Sequence, residues 1–357
     1  MTDHYDGRRF HNPNPVRRGF FDFLRWQMSR DPGEWKRRLA ASPAPSPPQA
    51  LPSERLRLTF VNHATVLVQT AGLNVLTDPH WSERASPLSW AGPRRHRPPG
   101  VRFEALPPIH AVLVSHNHYD HMDLPTLRRL AAAHDPRFIV PLGNRRTLAS
   151  AGITRVVELD WWEPYALSGA VTVHAVPARH WSKRGLLDTN KALWAGFYLA
   201  SPAGSVYFAG DTGMGDHFQA IRRRLGAPGV ALLPIGAYLP RWFMQPMHTS
   251  PSEALEAQRR VGARYLLPIH HGTFPVGDDG QEEPVRDLRR AMRRQGVPEE
   301  RVWILGNGES RVLPAARFRA ARDDTFQRQS RAADTSTRTS TPKDAKIAKN
   351  KRPSDYP

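Results

Sequence analysis

Residues 115–123 read Ser-His-Asn-His-Tyr-Asp-His-Met-Asp, and within six positions they present His116, His118, Asp120 and His121. Neutral imidazoles and carboxylates are zinc ligands, and a loop leaving a rigid strand can aim two of them at one ion and two at a neighbour. The chain contains no cysteine, so thiolate sites, disulfides and Cys nucleophiles are excluded and any metal must be held by His and carboxylates. The same placement recurs along the chain. His180 follows the apolar run 171–176, Asp211 sits in Gly210-Asp211-Thr212-Gly213 after 205–209, and His270 follows 265–269. Four strand ends that each deliver a metal-binding side chain predict a site at one edge of a sheet. Seven ligands suffice for two ions: His116, His118 and His180 would hold one, Asp120, His121 and His270 the other, and Asp211 would bridge them. Water shared by two cations loses a proton near neutral pH while both ions stabilise charge on the scissile group, so the chemistry expected is hydrolysis. His63 and Asp78 also stand at strand ends. A lone His in that setting is more often structural than a ligand, and Asp78 suits either a turn cap or a partner that orients a ligand.

The elements that must position these residues are legible in the hydrophobic pattern. Short strands are expected at 56–61, 65–69 and 74–76, with a hairpin turn at Ala71-Gly72, then at 111–114, 138–141 and 156–159. Helices are expected at 124–134 and 145–151. Further strands follow at 171–176, 193–199, 205–209, 230–235 and 265–269, helices at 252–261 and 288–294, and closing strands at 302–305 and 311–313. Strand and helix alternate, which predicts an α/β domain over 53–315. Ahead of it, residues 1–52 form an arm with a helical pattern at 20–30 and a linker at 41–52 that holds five prolines. Residues 316–357 are rich in Arg, Lys, Ser and Thr and read as a disordered basic tail. The Pro-rich, basic stretch 81–108 is a long loop, of a kind that is usually functional or partly disordered.

With 357 residues, 39% of them hydrophobic, the chain can bury a sizeable core without staples. The first thirty residues lack the apolar core of a signal peptide and no window reaches the length of a membrane span, so a cytoplasmic protein, peripheral at the inner face of the membrane, is expected. The net charge of +18 is concentrated at the ends: residues 1–50 carry nine Lys or Arg against five acids, and 316–357 carry eleven against five. Such a chain attracts polyanions, and both nucleic acid and an anionic membrane surface qualify. A generic solubilising excess of Arg would give the same numbers. The aromatic and basic segment from Phe20 to Trp26, including Phe21, and the loop at 81–100 are expected to face anionic lipid, although an apolar arm could equally serve a homodimer.

The string His-Asn-His-Tyr-Asp-His at 116–121 matches the HxHxDH signature of the metallo-β-lactamase superfamily, and His180, Asp211 and His270 stand where that family places its remaining ligands. Further strings, Asn62-His63-Ala64-Thr65, Leu76-Thr77-Asp78-Pro79, Phe208 to Gly213, Pro234-Ile235-Gly236-Ala237-Tyr238, Pro240-Arg241-Trp242-Phe243-Met244 and Ile269-His270, resemble the N-acylphosphatidylethanolamine-hydrolysing phospholipase D family and its bacterial relatives. Arg9-Phe10-His11-Asn12-Pro13 resembles the start of that family's domain. The resemblance implies an αββα sandwich, two Zn2+ (iron or manganese also suit such ligands), and phospholipase D-type hydrolysis of a phospholipid to phosphatidic acid and an N-acylethanolamine. It also implies that Tyr119 and His248 approach the substrate or leaving group beside the catalytic carboxylates Asp120 and Asp211. A packed ring is the other reading of Tyr119, and a cap on the helix at 252 the other reading of His248. The chain departs from the family's pattern at Leu239, Met247 and His271. His271 neighbours a ligand, but adjacent side chains on a strand point oppositely, so only one of the pair can serve the site. A nuclease or a lactonase of the same superfamily is the enzymatic alternative, the former because of the basic charge. A non-catalytic membrane-binding protein with structural metals is the alternative of a different class.

Overall fold

Period-two burial organises the structure, a computed structural model that describes residues 3–15, 19–36 and 46–314. The basic tail at 316–357 and residues 41–45 of the Pro-rich linker lie outside the described residues. After α1 (Phe20–Met28), the strands β1 (Arg55–Asn62), β2 (Thr65–Thr70) and β3 (Leu73–Thr77) form an antiparallel meander, and β4 (Ala111–Leu113) joins parallel to β3. Helix α2 (Leu124–His134), β5 (Arg137–Pro141), α3 (Arg145–Ser150) and β6 (Val156–Leu159) follow. The second half contributes β7 (Pro164–Ala166), β8 (Thr172–Val176), β9 (Gly196–Ser201), β10 (Gly204–Phe208), α4 (His217–Leu225), β11 (Val230–Pro234), α5 (Arg241–Met244), α6 (Pro251–Val261), β12 (Tyr265–Ile269), α7 (Glu283–Gln295) and β13 (Ser310–Pro314). Among the described residues these strands make two sheets, in the orders β13-β1-β2-β3-β4-β5-β6 and β12-β11-β10-β9-β8-β7.

Alternate residues of each strand enter different cores. Leu58, Phe60, Val66 and Leu113 of the first sheet meet Phe197, Phe208, Leu232 and Leu267 of the second between the sheets. Leu76 and Val112 face outward onto Leu127, Leu130 and Leu148 of α2 and α3. Tyr207, Ala231 and Leu233 face outward onto Phe218, Leu255 and Leu288 of α4, α6 and α7. The result is the expected αββα sandwich. Each fully buried Leu or Phe contributes roughly 1.5–3 kcal/mol of hydrophobic stabilisation, so the three layers rather than local propensity hold the strand ends in place.

Several elements differ from the sequence expectation for physical reasons. Residues 302–305 do not form a strand; Val302 makes a single parallel bridge to Leu266, and Trp303 stacks on Tyr265 with ring centroids 4.6 Å apart. The short edge strand β7 opens on Pro164, which has no N–H to donate. Helix α4 buries only Phe218 and Ile221, a three-residue spacing overshadowed by its run of arginines. The loop at 81–108 is packed: Arg95 is buried and donates to the carbonyls of Ser82 and His80. Helix α1 turns Trp26 inward onto Phe243 while Phe21 and Met28 are 83% and 80% exposed, so Trp26 does not belong to an outward lipid-facing surface. No helix among the described residues is long and apolar enough to cross a membrane.

Gly210 shows how tightly the strand ends are set. Its φ of +60° lets the chain turn after β10 and leave Asp211 at the sheet edge, and a Cβ there would lie 2.6 Å from Ser115 Cβ. Gly210→Ala is therefore expected to destabilise the fold by about 1–3 kcal/mol, read as a lower urea midpoint with an unchanged slope.

Candidate metal centre

The end of β4 and the first turn before α2 deliver His116, His118, Asp120 and His121, while the ends of β8, β10 and β12 deliver His180, Asp211 and His270. All seven converge. His118 Nδ1 lies 2.9 Å from His116 Nε2 and 3.3 Å from His180 Nε2. Asp120 Oδ2 lies 3.2 Å from His270 Nε2 and 3.4 Å from His121 Nε2. Asp211 Oδ2 reaches both groups, at 3.2 Å from His121 Nε2 and from His270 Nε2, 3.8 Å from His180 Nε2 and 4.0 Å from His116 Nε2. The seven side chains thus lie in two groups of three, with Asp211 Oδ2 between them.

Two residues read as structural or ambiguous from sequence belong to the same constellation. His63, at φ 44° after a register shift in the β1–β2 pair, places Nε2 3.1 Å from Asp120 Oδ2 and can join Asp120, His121 and His270 around one ion. Its position in a tight turn following a buried strand was the available signal. Asp78 acts as the orienting partner. It accepts from Ser115 N at 2.7 Å, Ser115 Oγ at 2.6 Å and His121 Nδ1 at 2.6 Å, which leaves His121 Nε2 to face the cluster. His180 is fixed the same way, Nδ1 donating to the Met247 carbonyl at 3.0 Å.

His248 lies against the cluster, its Nδ1 3.9 Å from Asp211 Oδ2, and it does not cap α6, whose cap is Ser250 accepting from Glu253 N. Tyr119 donates its hydroxyl to the Arg184 carbonyl at 2.8 Å and packs its ring under the Arg184 guanidinium at 4.2 Å, so it secures the 182–188 segment. His271 is away from the cluster and stacks on Phe60.

The donor set fits divalent cations. Three ring nitrogens within 3.3 Å of their nearest neighbour cannot all donate to one another, and Asp211 Oδ1 is buried without a hydrogen-bond partner. Burial pushes His118 down to about 4 and His180 to about 3, and it carries His116 well below 6.5, so these imidazoles keep their lone pairs at neutral pH. Burial alone would raise Asp120 and Asp211, yet His121 with the other histidines holds both far below the carboxylate range. Burial likewise opposes protonation of His270, but Asp211 and Asp120 carry it up to about 9. His and carboxylate ligands without sulfur suit zinc, iron or manganese.

The fold and this constellation define the class. Residues 73–271 match the model of the beta-lactamase superfamily domain, and the chain belongs to that superfamily, the metal-dependent hydrolases of the metallo-β-lactamase fold. It is 42% identical over 229 residues to the N-acyl-phosphatidylethanolamine-hydrolyzing phospholipase D 1 of Caenorhabditis elegans, a match covering 61% of this chain and 64% of that one. It is 39% identical over 223 residues to the mitochondrial N-acyl-phosphatidylethanolamine-hydrolyzing phospholipase D of Saccharomyces cerevisiae, covering 61% of this chain and 47% of that one. The chain thus spans less than two thirds of the length of either relative. Among solved structures it resembles Igni18, a metallo hydrolase of Ignicoccus hospitalis, with a TM-score of 0.55 and 23% identity over 72% of this chain and 98% of that one, a likeness of fold.

The shifted histidines give a pH dependence with a definite sign. In the unfolded chain they titrate near 6.5, whereas folded His118 and His180 take up protons only near 4 and 3. Between these values the unfolded state binds more protons, so stability present above pH 6.5 is lost as the pH falls. His270 works in the opposite sense, its contribution being present below 6.5 and lost as the pH rises towards 9. The metal-stripped protein is therefore expected to show a lower urea midpoint at pH 5 than at pH 7; a higher midpoint at pH 5 contradicts the burial of neutral imidazoles.

Proposed function

We propose that the protein is a phosphodiesterase of the phospholipase D type that hydrolyses N-acylphosphatidylethanolamine or a related phospholipid. The observation that carries this reading is the seven-residue constellation, two triads joined through Asp211, in a chain about 40% identical to two phospholipases of that specificity. His116, His118 and His180 would hold one zinc, and Asp120, His121 and His270, with His63 beside them, the other. Two bound cations supply Lewis-acid charge at the phosphoryl oxygens and acidify a water. The chain's own residues do the rest. Asp78 and the Met247 carbonyl lock the tautomers of His121 and His180, and Asp120 and Asp211 stay ionised beside the histidines. His248, a buried imidazole that burial lowers to about 3, stands neutral 3.9 Å from Asp211 Oδ2, where its ring N–H can donate a hydrogen bond to a phosphate oxygen without giving up its proton.

A lipid substrate is supported by exposed apolar side chains, two of them on the segment that leaves His180. Leu186 and Leu187, six and seven residues beyond His180, are 92% and 81% exposed, and Trp90 and the outer face of α1 with Phe21 and Met28 are also exposed. Arg8, Arg9 and Arg94 are exposed near the same segments and suit an anionic headgroup layer at the inner face of the membrane. A nuclease is the second reading, favoured by the exposed arginines at 286, 289, 290, 293 and 294 along α7.

Two experiments decide. Purified protein offered N-acylphosphatidylethanolamine vesicles and a single-stranded RNA side by side is expected to release phosphatidic acid, with turnover falling about a hundredfold or more in His118→Ala. RNA cleavage without lipid cleavage sinks the proposal. For the membrane surface, Leu186→Ser with Leu187→Ser is expected to lower sedimentation with anionic vesicles about fivefold or more, since two exposed leucines lose their apolar burial. Unchanged sedimentation assigns lipid contact elsewhere.

A further inference from the structure

The N-terminal arm carries no candidate ligand, yet it grips both irregular segments that hold histidines of the centre. On one side it runs along residues 180–190. Arg9 Nη1 donates to the Thr189 carbonyl at 2.9 Å, Phe10 N to the Asn190 carbonyl at 2.8 Å, and Asn12 Nδ2 to the carbonyl of His180 itself at 2.7 Å. On the other side Trp26 stacks on Phe243 of α5, with centroids 5.0 Å apart and planes at 22°, and donates Nε1 to Asp278 Oδ2 at 2.9 Å. The turn that leaves α5 is closed by Met247 N and His248 N on the Met244 carbonyl, at 3.0 and 2.9 Å. That turn carries His248 and offers the Met247 carbonyl to His180 Nδ1. Gly33 completes the attachment: its N–H donates to the Asp278 carbonyl at 2.7 Å, and a Cβ there would lie 2.5 Å from Gly280 N, an approach open only to glycine.

We infer that Asn12 and Trp26 are positioning residues of the metal centre, Asn12 acting through the backbone of His180 and Trp26 through the turn that bears Met247 and His248. His180 depends on this more than His116 or His121 does. His116 and His121 are tied to Ser115 and Asp78 within the first sheet, whereas His180 has a carbonyl held by the arm and a ring held by a turn that the arm supports. Neither segment belongs to a sheet or a long helix, so without these contacts both explore more conformations. A ligand that must be gathered from many conformations binds its ion more weakly and releases it faster.

The test uses the full chain loaded with zinc and measures the rate at which excess chelator strips the metal under native conditions, with the urea midpoint of the stripped protein recorded beside it. Asn12→Ala and Trp26→Ala are each expected to lose zinc about tenfold faster than wild type. Trp26→Phe keeps a ring against Phe243 and is expected to stay within about threefold of wild type. A wild-type stripping rate in Asn12→Ala or in Trp26→Ala overturns the role of that residue, including the case in which the urea midpoint falls and the rate does not. No substrate enters the measurement, so its failure is distinct from failure of the lipid assignment.

Discussion

Everything in this structure answers to the poor hydration of the ionisable side chains gathered between the strand ends. Three imidazole nitrogens of one triad point their lone pairs at a common space, and two ionised carboxylates share the neighbouring one with His121 and His270. Taken out of water without compensation, such a group is expensive to assemble. The fold meets that cost with three apolar layers that fix the strand ends, and a pair of cations would meet it with charge. The buried, partnerless Asp211 Oδ1 is what this demand looks like at atomic scale.

The orienting contacts follow from the same constraint. A ring that could flip or change tautomer would offer a proton where a lone pair is needed. Asp78 therefore sits at the end of β3 at φ 32°, a strained conformation for a residue with a side chain, and accepts three hydrogen bonds that lock Ser115 and His121 together. The Met247 carbonyl does for His180 what Asp78 does for His121.

The sandwich and the convergence of the seven side chains were legible in the chain because each site residue follows an apolar run, and runs on strands that point the same way, as β8, β10 and β12 do, end at one edge of a sheet. His116 to His121, His180, Asp211 and His270 all obey that rule. What escaped is the information carried by backbone shape and by neighbours distant in sequence. His63 looked like an isolated turn histidine because nothing local reveals the positive φ and the register shift that swing it towards Asp120. Trp26 looked outward because an aromatic helix beside arginines has no visible partner until Phe243 and Asp278, over two hundred residues away, are brought against it. Tyr119 lies inside the signature, yet the Arg184 carbonyl that takes its hydroxyl is visible only in three dimensions. Residues 302–305 carry a strand's composition, but the β12 edge engages them through one bridge only.

The candidate ligands divide between the two sheets: those after β4 come from the first, and His180, Asp211 and His270 from the second. Neither sheet alone encloses an ion, because Asp211 and His270 complete contacts that His121 and Asp120 begin. Discrimination among competing metals would therefore rest on how the two sheets are set against each other rather than on the His116–His121 loop by itself.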